Sequence, residues 1–335
     1  MAVPQRKLGA NGPTVSSIGL GALGMSDLYG PADEAESIAT IHEAIDSGIN
    51  LIDTGDFYGS GHNEMLIGRA LTQRNREDVV LSVKFGARRA PDGSFQPVPY
   101  DVSPAAVKDR LAYSLRRLGT DYIDIYRPSR LNPEIPLEDT LGALVEMQQA
   151  GYIRFIGLSE VGADTIRRAS KVAQISDVQI EYSLLSRGPE RAIIPTLREL
   201  GIGLTAYGVL SRGLLSGHWS ADRNLSAGDF RASSPRFQSE NLGHNLALVE
   251  ALGQVASRLG ATTSQVAIAW VAAQGEDIVP LVGARRRDRL EESLGASTLH
   301  LDERALSEIA QAIPAGAAAG ERYAAGQMAT LDSEK

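Results

Sequence analysis

An α/β fold closed as a (β/α)8 TIM barrel is what this sequence predicts, from three observations. Short apolar runs alternate with amphipathic stretches eight times, glycines fall where the amphipathic stretches end, and polar residues stand at the ends of apolar runs. Eight parallel strands, each followed by a right-handed helical crossover, are most simply closed as a barrel. Active sites of that architecture gather at the C-terminal ends of the strands.

Ahead of the repeat, Lys7-Leu8-Gly9 and Thr14-Val15-Ser16 flank Ala10-Asn11-Gly12-Pro13. Asn-Gly between short extended runs predicts an N-terminal β-hairpin, placed as a lid on one end of the barrel. The first barrel strand is Ile18-Gly19-Leu20, followed by a helix over 35–47 in which Ile38, Ile41 and Ile45 recur at three and four residues. Leu51-Ile52 leads to a helix over 63–71, and Val79 to Val83 leads to one over 104–118. Further strands are predicted at 122–126, 153–158, 178–180, 204–207 and 278–282, with helices near 137–149, 164–172, 193–200, 245–259 and 287–295. Gly48, Gly119, Gly151, Gly201 and Gly260 sit where a residue just past a helix end takes a left-handed conformation.

We read residues 1–335 as a single barrel domain with long loops at its C-terminal face. Two segments break the rhythm. Residues 208–243, rich in Gly, Ser and Arg and carrying Trp219, Phe230 and Phe237, form a long loop after strand seven, where a binding role is expected. Residues 313–335, with a Gly- and Ala-rich start and then Glu321-Arg322-Tyr323, read as a flexible tail able to fold back over the barrel mouth.

The absence of cysteine excludes thiol catalysis, a disulfide framework and cysteine-ligated metal sites, and no metal is expected. A net charge of −8 argues against general polyanion binding, so no nucleic-acid partner is expected. Met1 to Lys7 has no apolar signal core, and the run from Val266 to Ala273 is too short to span a bilayer. A soluble cytoplasmic protein without a membrane partner is the expectation.

The candidate chemistry lies in Leu51-Ile-Asp-Thr-Gly-Asp-Phe-Tyr-Gly59 and Val80-Leu-Ser-Val-Lys84. A tyrosine titrating near pH 10 donates a proton poorly at neutral pH unless a cation favours its phenolate. Tyr58 would be the acid, Lys84 its tuner and Asp53 the residue that holds Lys84. The same residues also fit a turn cap, a half-buried aromatic and a lysine whose stem lies along apolar surface.

Gly19-Leu-Gly21-Ala-Leu-Gly24 matches a dinucleotide-binding pattern, but that pattern needs a helix opening within it, and Tyr29-Gly30-Pro31 leaves no room for one. A different likeness runs over nearly the whole chain. It rests on Ile52-Asp-Thr-Gly-Asp-Phe-Tyr-Gly59 with Asn63-Glu64, Ser82-Val-Lys84, Asp121-Tyr-Ile-Asp-Ile-Tyr126, Gly151-Tyr-Ile-Arg154 with Ile156-Gly-Leu-Ser159, Gln179-Ile-Glu181-Tyr182 and Arg212-Gly-Leu-Leu-Ser-Gly217. In these motifs the chain resembles the aldo-keto reductase superfamily.

The resemblance implies NADPH-dependent reduction of an aldehyde or ketone, with Asp53, Tyr58 and Lys84 catalytic. It places Ser159 and Gln179 at the nicotinamide carboxamide, Tyr207 under the ring, and Gly21, Gly208, Leu210 and Arg212 along the cofactor. Gly283, Arg285, Arg289, Glu292 and Ser293 resemble the adenosine-phosphate site, where Arg285 and Arg289 would favour the 2′-phosphate of NADPH. Arginines crowded at a helix N-terminus oppose the macrodipole, which independently suggests an anion there, although a solvated charge run reads the same way. Met25, Phe57 and Ser129 are expected in the substrate pocket, with Asp27, Tyr29, Arg88, Phe230 and Phe237 around it.

One departure stands out. Asp121-Tyr-Ile-Asp-Ile-Tyr-Arg-Pro-Ser129 ends in serine where the family usually has a histidine that donates to the substrate carbonyl. Glu160, Ala284 and Ser293 replace asparagine, serine or threonine, and asparagine respectively. His62 and the other four histidines read as loop, surface or packing residues. The competing reading is an NADPH-bound regulatory or scaffold protein of the same fold with little turnover; a barrel isomerase or lyase lacks a reason for the nicotinamide-site residues. Physiological substrate and oligomeric state are not legible in the sequence.

Overall fold

The structure, a computed structural model, describes residues 3–26, 28–226 and 228–335. Eight parallel strands close into a barrel: Gly19–Gly21 (β1), Leu51–Gly55 (β2), Val80–Phe85 (β3), Ile123–Pro128 (β4), Ile153–Ser159 (β5), Ile175–Glu181 (β6), Gly203–Tyr207 (β7) and Ile278–Gly283 (β8). Strand β8 closes the ring on β1, with Leu281 opposite Gly19 and Gly283 opposite Gly21.

Side chains alternate across each strand. Outward residues such as Ile52, Leu81, Val83, Leu158, Ile180 and Val282 join the main core under the helices. Inward residues stack in layers. Leu51, Ile125, Val279 and Leu281 form an apolar floor that is sealed from below by Leu8 and Val15 of the N-terminal hairpin, Gln5–Lys7 paired antiparallel with Thr14–Ser16. Arg6 fastens that hairpin by donating to the carbonyl of Ile278 at 2.7 Å.

Above the floor lies a polar layer. Arg127 is fully buried and paired with buried Asp177 at 2.8 Å, and Asp177 also accepts from Thr205 Oγ1 at 2.5 Å. Gly157 makes room for this pair: a Cβ there would stand 2.9 Å from Asp177 Oδ1 and 3.1 Å from Arg127 Nε. The catalytic candidates form the layer above.

Caps explain several helix boundaries. Asp33, Ser103 and Asp302 each accept a main-chain N–H of the helix they precede, Glu34–Asp46, Pro104–Leu118 and Glu303–Ala312. The helix Thr263–Ala273 was legible only as an apolar run, because Val266, Ala267, Ile268, Trp270 and Val271 are all buried and no amphipathic period marks it. Its local signal is the capping box of Thr262 and Gln265. The helix expected from 245 begins earlier, at Ser239, and runs to Arg258.

Two features at the mouth go beyond the sequence reading. A second hairpin, Ala87–Arg89 with Phe95–Tyr100, follows β3, and Arg89 Nε donates to Phe57 O at 3.3 Å. The tail, whose composition suggested flexibility, is bonded down at Arg322, Tyr323 and Asp332.

Candidate active site

Strand register brings the acid–base candidates together. Asp53 lies opposite Ser82 and Gly55 opposite Lys84, so both inward side chains point to the same level of the lumen. Lys84 Nζ is ion-paired with Asp53 Oδ1, both side chains being buried. The other carboxylate oxygen accepts from Ser82 Oγ at 2.8 Å and from Gln179 Nε2 at 2.7 Å. Arg127 Nη2 reaches the same serine at 3.1 Å, which joins the polar layer to Asp53.

Tyr58 enters from the turn after β2. Gly59, Ser60 and Gly61 all have positive φ, which folds the chain sharply enough to return the ring over the barrel. Phe57 meets that ring edge to face at 4.8 Å, and Lys84 Nζ lies 5.0 Å from its centroid. Burial raises the Tyr58 phenol well above its ordinary value, Asp53 adds to the rise, and the charge of Arg130 opposes it. Burial lowers Lys84 against the pull of Asp53. The phenol is therefore held protonated beside an ion pair.

The next strand ends supply a second cluster. Ser159 is buried at the end of β5, and Glu160 after it has φ +53°, a left-handed conformation that is uncommon for a residue with a side chain and costs energy. Glu160 accepts from Tyr207 OH at 2.7 Å and takes Arg322 in two contacts, 3.0 and 2.5 Å. Tyr207 OH also lies 2.8 Å from Tyr323 OH. Burial works against the Glu160 carboxylate, yet Arg322 and Arg130 outweigh it and hold the carboxyl down at about 2.

After β7, Gly208, Ser211 and Arg212 have positive φ, and the turn sets Arg212 against buried Glu181 at 3.1 Å. Arg212 Nη1 is buried and finds no acceptor. Leu210 is half-buried against the main core. Arg236 shares Glu181 at 3.3 Å.

Some 2′-phosphate candidates sit apart from this centre, around the helix Arg287–Leu294. Arg285 Nη1 donates to the carbonyls of Tyr29 and Gly30 at 3.2 and 3.1 Å. Burial lowers its guanidinium, and the charge of Arg231 lowers it further. Arg289 reaches Glu292 at 3.1 Å, and Ser293 Oγ donates to Arg289 O at 2.8 Å. His218, read from sequence as a surface or packing residue, joins this group at 2.9 Å from Glu292. Gly21 and Gly283 pair across the β1–β8 seam, and no atom lies within 4 Å of a Cβ built at Gly283.

The pocket expectations divide. Ser129 is buried behind β4 with its hydroxyl unpartnered, and Phe57 flanks Tyr58. Met25 is buried within the main core cluster, and Phe237 packs on Trp219 at 4.7 Å. Phe230 lies 6.2 Å from Tyr323, whereas Arg88 is exposed. Asp27 lies outside the described residues. His62 bonds Ser26 and Glu34 at 2.8 and 3.3 Å, on the outer surface. Sequence reasoning passed over Arg127, Arg130, Arg236 and Arg322; for Arg130 the signal was a cation directly after the serine that ends the β4 motif. Among the described residues no acidic or histidine cluster could hold a metal ion, and no helix is long and apolar enough to cross a membrane.

Comparison with known proteins agrees with this geometry. Residues 17–314 match the Aldo/keto reductase family. The chain is 40% identical over 318 residues to probable aldo-keto reductase 1 of Glycine max, covering 95% of this chain and 91% of that one. It is 38% identical over 330 residues to aldo-keto reductase yakc [NADP(+)] of Schizosaccharomyces pombe, covering 97% and 96%. Among solved structures, a glycerol dehydrogenase from Gluconobacter oxydans superimposes with a TM-score of 0.83 at 27% identity, over 94% of this chain and 97% of that one. With its closed barrel and its strand-end motifs, the chain belongs to the aldo/keto reductase family and is an oxidoreductase.

Proposed function

We propose that the protein reduces an aldehyde or ketone to the alcohol with NADPH, and that Tyr58 protonates the carbonyl oxygen. The observation that carries this reading is the buried Asp53–Lys84 pair set against the Tyr58 ring. A structural tyrosine has no need of a buried ion pair beside it, whereas a general acid does: the ammonium stabilises the phenolate left after proton transfer.

The donor set fits the cofactor. Orphaned Arg212 Nη1 and the crowded guanidinium of Arg285 are suited to the negative charges of a dinucleotide, and the open space at Gly283 lets it approach the main chain. The Schizosaccharomyces pombe relative, whose name includes NADP(+), supports the same choice. NADPH supplies hydride when bound. Ser159 and Gln179 would hold the carboxamide, Tyr207 would support the ring, and Gly21, Gly208 and Leu210 would border the chain of the cofactor. Arg285, Arg289, Glu292 and Ser293 would surround its adenosine end. Asp53 keeps Lys84 charged, and Lys84 steadies the developing phenolate of Tyr58. Such a positioned acid contributes typically about 10²–10⁴ in rate.

The test is NADPH oxidation by the purified protein with a panel of aromatic and aliphatic aldehydes. Turnover is expected. Tight NADPH binding without turnover on any carbonyl would favour the regulatory reading instead.

A further inference from the structure

Resting on the reductase reading, we infer that Arg130 is a substrate-binding residue that selects carbonyl compounds carrying a carboxylate on the carbon next to the reacting carbonyl. The reason is an imbalance of charge at the mouth of the barrel. Arg127, Arg212, Arg236 and Arg322 each face a buried carboxylate, at Asp177, Glu181, Glu181 and Glu160 respectively. Arg130 faces none: among the described residues it makes no ion pair, and Glu160, which acts on it through space, is bonded on both oxygens by Arg322.

Its hydrogen bonds leave capacity. Nη1 donates to the carbonyl of Ser129 at 2.6 Å and stands 3.5 Å from Ser159 Oγ, while Nε is buried with no acceptor. Burial works against its charge, and Tyr207 and Glu160 offset that through space only, so its spare N–H donors remain able to receive an anion. Its place is at the mouth beside the proposed nicotinamide site: Arg130 follows directly on Ser129, beyond the end of β4, and its Nη1 stands at Ser159, the residue proposed to hold the carboxamide.

A planar fork of N–H donors binds two oxygens side by side, as a carboxylate presents them. A carboxylate on the carbon next to the carbonyl would occupy this fork while Tyr58 addresses the carbonyl oxygen. Ser129 is buried with its hydroxyl unpartnered and contributes no charge of its own.

The test compares carbonyls matched in size with and without that carboxylate: glyoxylate against glycolaldehyde, and phenylglyoxylate against acetophenone. The parent is expected to favour the carboxylate member in kcat/KM. The ratio is expected to fall at least about tenfold in Arg130→Met, and less in Arg130→Lys, with the loss mainly in KM. Calorimetric binding of oxamate, an unreactive carboxylate analogue, to the parent with NADP+ gives a readout independent of turnover and is expected to be lost in Arg130→Met. Should Arg130→Met fail to fold, Arg130→Lys and oxamate binding by the parent still decide the matter.

A parent that reduces the neutral carbonyls with no preference for their carboxylate partners and no oxamate binding would overturn the inference and leave the reductase reading standing. An Arg130→Met variant that loses NADPH affinity and both members of each pair equally would also overturn it, by assigning Arg130 to the cofactor. Absence of all turnover would overturn the reductase reading; oxamate binding, present or absent, would still decide whether Arg130 receives a carboxylate.

Discussion

Arg322, from the C-terminal tail, and Glu160, at the end of β5, form a two-contact ion pair of 3.0 and 2.5 Å inside the barrel mouth. Both side chains are almost wholly removed from water. Ser333 from the same tail donates to Glu160 at 2.6 Å, and Asp332 accepts from Gly162 N at 2.9 Å. The tail is thus bonded to the rim it crosses. Arg322→Ala leaves the Glu160 carboxylate buried with most of its countercharge gone, and the expected cost is about 3–5 kcal/mol. Urea unfolding of the variant measures it; a loss within experimental error of the parent would show that the pair holds nothing.

The same carboxylate predicts a pH dependence. The folded-state value of Glu160 is depressed from its ordinary 4.5 to about 2 by Arg322 and Arg130 acting against burial. A depressed acid contributes stability that is fully present above its unfolded value and is lost as pH falls through its folded value. Stability is therefore expected to decline between about pH 4.5 and pH 2 through this group. Glu160→Gln should flatten that part of the profile, measured by thermal unfolding across the acid range.

A buried pair in the layer below makes a sharper contrast. Arg127 and Asp177 are both fully buried, and Arg127 reaches Asp53 through Ser82. Arg127→Met strands the carboxylate and is expected to cost about 3–5 kcal/mol, whereas Arg127→Met with Asp177→Leu removes both charges and should recover most of the loss. Denaturant unfolding of the parent, Arg127→Met, Asp177→Leu and the double variant yields the coupling. A double variant as unstable as the single one would place the cost in packing.

Cofactor choice is tested at Arg285. Its guanidinium sits near Arg231, Asp229, Arg223 and Arg286, and among the described residues it is bonded only to the carbonyls of Tyr29 and Gly30. Removing a charge-assisted contact to a 2′-phosphate costs about 1.5–3 kcal/mol, roughly 10–150-fold in affinity. Arg285→Ala should therefore weaken NADPH binding by that factor and NADH binding far less, as read by fluorescence titration. Equal losses for both would remove Arg285 from 2′-phosphate recognition.

The barrel was readable because its signals are local and repeated. Ile38, Ile41 and Ile45 mark one helix face, and Asp53 and Lys84 stand out as polar breaks in apolar strand runs, before any tertiary contact is known. The helix Thr263–Ala273 escaped because its buried residues leave no period to detect. The hairpin after β3 escaped because Pro97 and Pro99 break the strand pattern of Phe95–Tyr100 and the pair lies outside the repeat. At the site, residues within the strand motifs were visible and those that complete them from afar were not. Arg322 meets Glu160 across 162 positions of sequence, and nothing local to either announces the other. Glu160 in place of asparagine was legible as a departure; its reason became visible only with the tail in place.

The central claim is that Tyr58 is the acid, and the most direct measurement is NADPH oxidation with a reactive aldehyde by the parent and by Tyr58→Phe. Turnover by the parent is expected, with a loss of roughly 10²–10⁴ in kcat in the variant and NADPH affinity retained. A variant that turns over as fast as the parent, folded and binding NADPH, would contradict it.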